Sequence, residues 1–138
     1  MRVTIMLADA AQESGGKLYI LGGGWSVTGP EIPPSALALK IDVPWDQANR
    51  RHTWMLNLVS EDGVPVEIEG QAVRIEGEFE VGRPPGAAPG SYIDVPLAVN
   101  FASLPLAPGR RYVWQFGIDG ETNADWDREF FVRPFNPQ

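Results

Sequence analysis

The sequence predicts an all-β protein, an antiparallel β-sandwich with about eight or nine short strands. Three observations carry this. Apolar residues recur at every second position in stretch after stretch, which is the period of a half-buried strand. Fifteen glycines and thirteen prolines are spread between these stretches as turn signals. No strand–helix–strand alternation occurs, which sets aside a parallel α/β arrangement.

The pattern is clearest after the turn Leu106-Ala107-Pro108-Gly109. There Tyr112, Trp114, Phe116 and Ile118 alternate with Val113, Gln115, Gly117 and Asp119. Successive strand side chains point to opposite faces, so the large apolar groups fall together against a core. In chain order, Val3, Ile5 and Leu7 form a first strand. Residues 12–16 are a turn, and residues 17–21 return as the hairpin partner of that strand. Gly22-Gly23-Gly24 before Trp25 marks a bulge or a close backbone approach. A proline-rich link follows. Leu37, Leu39, Ile41 and Val43 then face one way, opposite Ala38, Lys40 and Asp42. Pro44 ends that strand, and residues 45–49 suit one helical turn.

Trp54, Leu56 and Leu58 are the next inward set. Glu61-Asp62-Gly63 is a turn, and residues 64–68 form a short strand. Val73, Ile75, Phe79 and Val81 alternate with Arg74, Glu76, Glu78 and Glu80, whose charges need water. Gly77 falls on the inward side and leaves room for a bulky neighbour such as a tryptophan. Residues 82–90 are a flexible loop. Ile93, Val95, Leu97, Val99 and Phe101 point inward. Pro96, on the other face, cannot donate to a ladder and marks an edge or a bulge. A hairpin loop spans residues 120–124. Trp126, Phe130 and Val132 share one face of the last strand, and residues 134–138 are a tail. The tetrapeptide Ile-Asp-Val-Pro occurs at 41–44 and again at 93–96. It reads as shared strand composition, since the flanks do not repeat.

The whole of residues 1–138 is the size of one domain. The chain has no cysteine, which rules out disulfides, thiolate nucleophiles and zinc–sulfur sites. It fits a reducing compartment. Eleven basic residues stand against eighteen acidic ones, a net charge of −7. That disfavours nucleic acid and anionic membranes, both of which bind through clustered Lys and Arg. The short apolar run at the N-terminus ends at Asp9, too early for a secretory signal. The expectation is a soluble cytoplasmic protein.

Two resemblances add to this. Leu106-Ala107-Pro108-Gly109-Arg110-Arg111-Tyr112 resembles the corner motif of fibronectin type III and immunoglobulin-like domains. The resemblance implies a tyrosine hydroxyl bonded back to the backbone just upstream. Ala8-Asp9-Ala10, Gly16-Lys17-Leu18 and Leu21-Gly22-Gly23-Gly24-Trp25 resemble a family of small uncharacterised proteins from bacteria and their phages. That family has no assigned activity, so the resemblance implies one compact domain and transfers no functional residue.

Candidate sites are few. Asp119, Glu121, Asn123, Asp125 and Asp127 fall at every second position around the last hairpin, the spacing of oxygen ligands in a calcium loop. Ala124 stands where an EF-hand needs glycine, so a calcium site here would have another form; acidic residues also favour turn chemistry alone. Trp54, Trp114 and Trp126 are in register with inward residues, whereas Trp25 and Trp45 lie beside turns. Those two and the Pro96 edge are the candidate interface. The glycine run lacks the Lys-Ser/Thr of a phosphate loop. His52, the only histidine, reads as an exposed residue at a strand entry, and no nucleophile elbow is present. The leading expectation is a non-enzymatic domain that binds a protein partner or its own copy. A calcium-assisted or carbohydrate-binding module and an enzyme with an unrecognised carboxylate site stay open beside it.

Overall fold

Alternating side chains and frequent turns produce an all-β protein with several antiparallel sheets. The computed structural model describes residues 1–136, so Pro137 and Gln138 of the expected tail lie outside the described residues. The strands are β1 (Arg2–Ala8), β2 (Ala10–Ser14), β3 (Lys17–Leu21), β4 (Val27–Thr28), β5 (Ser35–Val43), β6 (Arg51–Ser60), β7 (Glu67–Ile68), β8 (Gln71–Ala72), β9 (Arg74–Glu80), β10 (Ile93–Phe101), β11 (Arg110–Ile118), β12 (Glu121–Thr122) and β13 (Arg128–Val132). Among the described residues the only helical ones form two single 3-10 turns, Trp45–Gln47 and Ala124–Trp126. The first is the turn expected after Pro44.

A three-stranded sheet runs β1-β5-β10, and a larger one runs β4-β13-β11-β6-β9 with β12 attached to β11. Two further hairpins, β2-β3 and β7-β8, complete the pairing. The inward set of β5, Leu37, Leu39, Ile41 and Val43, is fully buried. It joins Trp54, Leu56 and Leu58 of β6 and Tyr112, Trp114, Phe116 and Ile118 of β11 in one apolar cluster. Each such side chain contributes about 1.5–3 kcal/mol through its removal from water. Tyr112 also anchors its own entry turn. Its hydroxyl accepts from the Ala107 amide at 3.0 Å and donates to the Ala107 carbonyl at 3.2 Å.

The pairing corrects the sequence reading at the N-terminus. Strand β1 pairs with β5, and the partner of β3 is β2, a strand in the stretch read as a turn. Gly15 and Gly16 alone make the turn, with φ of 59° and 76°. Two residues in that conformation match the twist of a tight hairpin, which frees Gln12, Glu13 and Ser14 to be strand. The hairpin lies on the outer side of β5, where Ala36 and Ala38 meet Ala11 and the half-buried Leu18 in a small second cluster. Asn100 of β10 clamps it there, accepting from the Ala11 amide at 3.2 Å and donating to the Ala11 carbonyl at 2.8 Å. Ala38, read as solvent-facing, is therefore buried.

The two Ile-Asp-Val segments turn out to be cross-strand partners in β5 and β10, with Asp42 directly opposite Asp94. Opposed like charges repel. Lys40 answers both, at 2.8 Å and 2.9 Å, and Arg2 reaches Asp42 at 3.5 Å. Pro96 lies in β10, an edge strand of its sheet.

Gly77 faces inward and lies opposite Trp54 in the β6–β9 register. A Cβ there would sit 2.5 Å from the indole Cε2, so the ring fills the space the missing side chain leaves. Gly77→Ala should cost about 1–3 kcal/mol by overpacking. Combining it with Trp54→Leu should cost less than the sum of the single losses, because the clash is then gone. Denaturant titration of the single and double variants checks this; strictly additive losses would contradict the contact.

Candidate functional site

The acidic stretch after β11 folds as a turn and a cap. Asp119 and Gly120, with φ of 52° and 80°, are the two-residue turn into β12, and Asp-Gly is a sequence that such turns favour. The Asp119 carboxylate turns back onto β6. Its Oδ1 accepts from the Thr53 amide at 3.0 Å, and its Oδ2 lies 2.7 Å from His52 Nδ1. Asn123 Oδ1 accepts from the Asp125 amide at 2.9 Å and caps the second 3-10 turn. Glu121 and Asp125 are exposed, while Asp127 is half-buried. Burial pushes the Asp127 carboxyl up, against the opposing pull of the Arg128 charge. Among the described residues, no group of three or more His, Cys, Asp or Glu side chains is placed to hold a metal ion.

His52 is where the structure departs furthest from the expectation. It is buried, 3% exposed, instead of standing at a solvated strand entry. The signal was available: His52 extends the inward alternation of Trp54, Leu56 and Leu58 by one step. Its ring stacks on Phe79 at 5.2 Å, and its Nε2 lies 2.9 Å from the Gln47 carbonyl. Each ring nitrogen thus lies within hydrogen-bond distance of an oxygen. The ring ties β6, the β11–β12 turn and the first 3-10 turn together. It is enclosed, and Thr53, the hydroxyl residue beside it in sequence, faces the other side of β6. The arrangement is a structural joint.

The expected interface residues are largely covered. Trp25 is half-buried, edge-on to Phe130 at 6.3 Å, and its indole nitrogen is buried without a hydrogen-bond partner. The guanidinium of Arg83 lies 4.6 Å over the Trp45 ring and donates to the Trp45 carbonyl at 2.9 Å. Pro96 is half-buried. Exposed apolar surface gathers instead on β3 and beside it. Tyr19 is 58% and Leu21 71% exposed, with Ile20 and Met6 next to them. The sequence holds the clue in Leu18-Tyr19-Ile20-Leu21. An unbroken apolar run in a two-stranded hairpin can bury only one of its faces.

A depression on the outer face of the larger sheet is lined by Thr53, Met55, Arg74, Glu76 and Glu78. Its charges are exposed, and Arg74 is paired with Glu76 at 2.5 Å. Among the described residues, no helix is long and apolar enough to cross a membrane. The molecule is thus an all-β protein whose most distinctive surface is an apolar hairpin. The chain belongs to DUF6941, a family of unknown function, whose model matches residues 3–128, from β1 to the first residue of β13. No curated protein and no solved structure matches it.

The Asp119 joint has a pH signature. Burial pushes the Asp119 carboxyl up, but the hydrogen bonds from His52 and the Thr53 amide and the His52 charge outweigh it and hold the carboxyl below its ordinary value. A carboxyl lowered by folding stabilises the native state above its unfolded value, about pH 4. That contribution disappears as pH falls through the lowered native value. Asp119→Asn, which keeps a residue tolerant of positive φ, should cost about 1–2 kcal/mol at pH 6. The gap between wild type and variant should shrink at pH 3. Urea titrations at the two pH values decide it, and an equal gap at both would refute the linkage.

Proposed function

We propose that the protein is a single immunoglobulin-like β-sandwich of the cytoplasm that works without catalysis, by contact with another protein chain through the β2–β3 hairpin. The observation that carries this is the exposure of Tyr19 and Leu21, 58% and 71%, on one face of β3. Scattered exposed apolar residues are ordinary, but a contiguous group marks a contact surface. Tyrosine and leucine side chains along the second strand of the hairpin, fixed from below by Leu18 and by the Asn100 clamp, give a preorganised patch. The sandwich reading is supported by the shared core of the two main sheets and by the Tyr112–Ala107 bonds at the entry to β11. The net charge of −7 and the absence of cysteine agree with a soluble intracellular setting.

A photo-crosslinking residue at exposed Gln12 should capture a protein in cells. The same residue at Glu78, on the far edge of the larger sheet, should not. Adding Tyr19→Lys and Leu21→Lys should abolish the Gln12 adduct while the circular dichroism spectrum stays unchanged. An adduct that survives both lysines, or none at Gln12 at all, would refute the hairpin as the contact surface.

A further inference from the structure

Every β-sheet has edges, and among the described residues most of the longer ones are protected. Strand β9 carries Glu76, Glu78 and Glu80 on its outward face, and β10 carries Pro96. On β1, the free carbonyls of Ile5 and Leu7 are taken by the Arg128 side chain at 2.9 Å and the Gly24 amide at 2.7 Å. Strand β4 has only two residues. Strand β3 pairs with β2 alone, and residues 18–21 hold no proline and no charge. Charges, prolines, bulges and shortness are the usual protections of an edge. Residues 18–21 lack the first two.

The turn fixes which backbone groups of β3 are open. In a hairpin with a two-residue turn, the flanking residues exchange both their hydrogen bonds. Ser14 and Lys17 are the flanking pair. The main-chain groups of Lys17, Tyr19 and Leu21 therefore turn toward β2, and those of Leu18 and Ile20 turn outward. We infer that this edge pairs with β3 of a second copy of the chain, antiparallel about a two-fold axis at Tyr19. The inference rests on the hairpin contact proposed above and names its occupant. In that register Leu18 faces the second copy's Ile20 and Ile20 faces its Leu18. Both are hydrogen-bonded pairs, so every outward group of the two residues is satisfied. A shift by one residue would set open groups against groups already spent.

The side chains agree with the same axis. Tyr19 meets its symmetry mate in the narrow, non-hydrogen-bonded position, where cross-strand aromatic pairs gain most. The apolar stem of Lys17 lies along the second copy's Leu21. Its ammonium ends beside the second copy's Asp9, whose carboxylate occupies the space over the bare backbone of Gly22. Lys17 and Asp9 stand at opposite ends of β3, so the two-fold brings each to the other. This complementarity selects a copy of the chain over an arbitrary strand.

The chain has no cysteine, so one substitution makes a clean reporter. Tyr19→Cys in the purified protein should oxidise to a disulfide-linked dimer, because the non-hydrogen-bonded position brings the two Cα atoms within disulfide range. Glu78→Cys, on another edge, should not. Sedimentation equilibrium of the wild type should give a reversible dimer. Ile20→Pro removes an outward amide without touching β2 and should give a folded monomer. If that variant fails to fold, Tyr19→Lys sets like charges face to face and should also give the monomer. A wild type that stays monomeric at several hundred micromolar, or a dimer that survives the folded variants, overturns the inference. If the Gln12 crosslinker still captures a different protein from such a monomer, self-pairing falls and the hairpin contact stands. If it captures none, both fall.

Discussion

Strand β11 is held on one side by β6 and on the other by β13. A strand paired along both edges cannot turn over, so its alternation commits Tyr112, Trp114, Phe116 and Ile118 to a single side. The rest of the core forms around that commitment. Phe101 stacks on Trp114 at 4.7 Å and Tyr112 on Phe130 at 5.8 Å. Trp54 lies 6.3 Å from Phe116. The first of these contacts joins the two main sheets, so a change at β11 is felt in each.

Much of this is legible in the sequence. The alternations of β5, β6, β9 and β11 name their own buried faces, and the fit of Gly77 to a tryptophan is visible as a gap in an inward row. Partner choice was not legible. Strand β1 is similar in length and polarity to a hairpin partner of β3, and only the conformation of Gly15 and Gly16 shows that the intervening residues supply that partner. Ala38 looks solvent-facing because a short side chain says nothing about what lies above it. Asp42 and Asp94 read as unrelated because pairing across fifty residues leaves no local trace.

The candidate site was harder still. Trp25 and Trp45 sit beside turns, and proximity to a turn was a poor guide to exposure. A ring near a turn can be covered by one distant residue, as Arg83 covers Trp45. His52 was misread for the opposite reason. Its place at a strand entry suggests solvent, whereas the period of its own strand points inward. The exposed run on β3 was visible in the sequence but ambiguous, because consecutive apolar residues equally suit a strand buried on both faces. At His52 the residue's own period outweighs the character of its surroundings.

The pairings β5–β10 and β6–β11 have a consequence for the growing chain. The core strands β5 and β6 depend on partners made later, since the ladder of β6 is completed only when residue 118 is present. Until then the nascent chain carries Leu37, Leu39, Leu56 and Leu58 on unfinished sheets. Non-local pairing of this kind slows folding and leaves apolar strands open to other chains. The core therefore closes only after residue 118 has been made, and until then the nascent chain holds unclosed sheets.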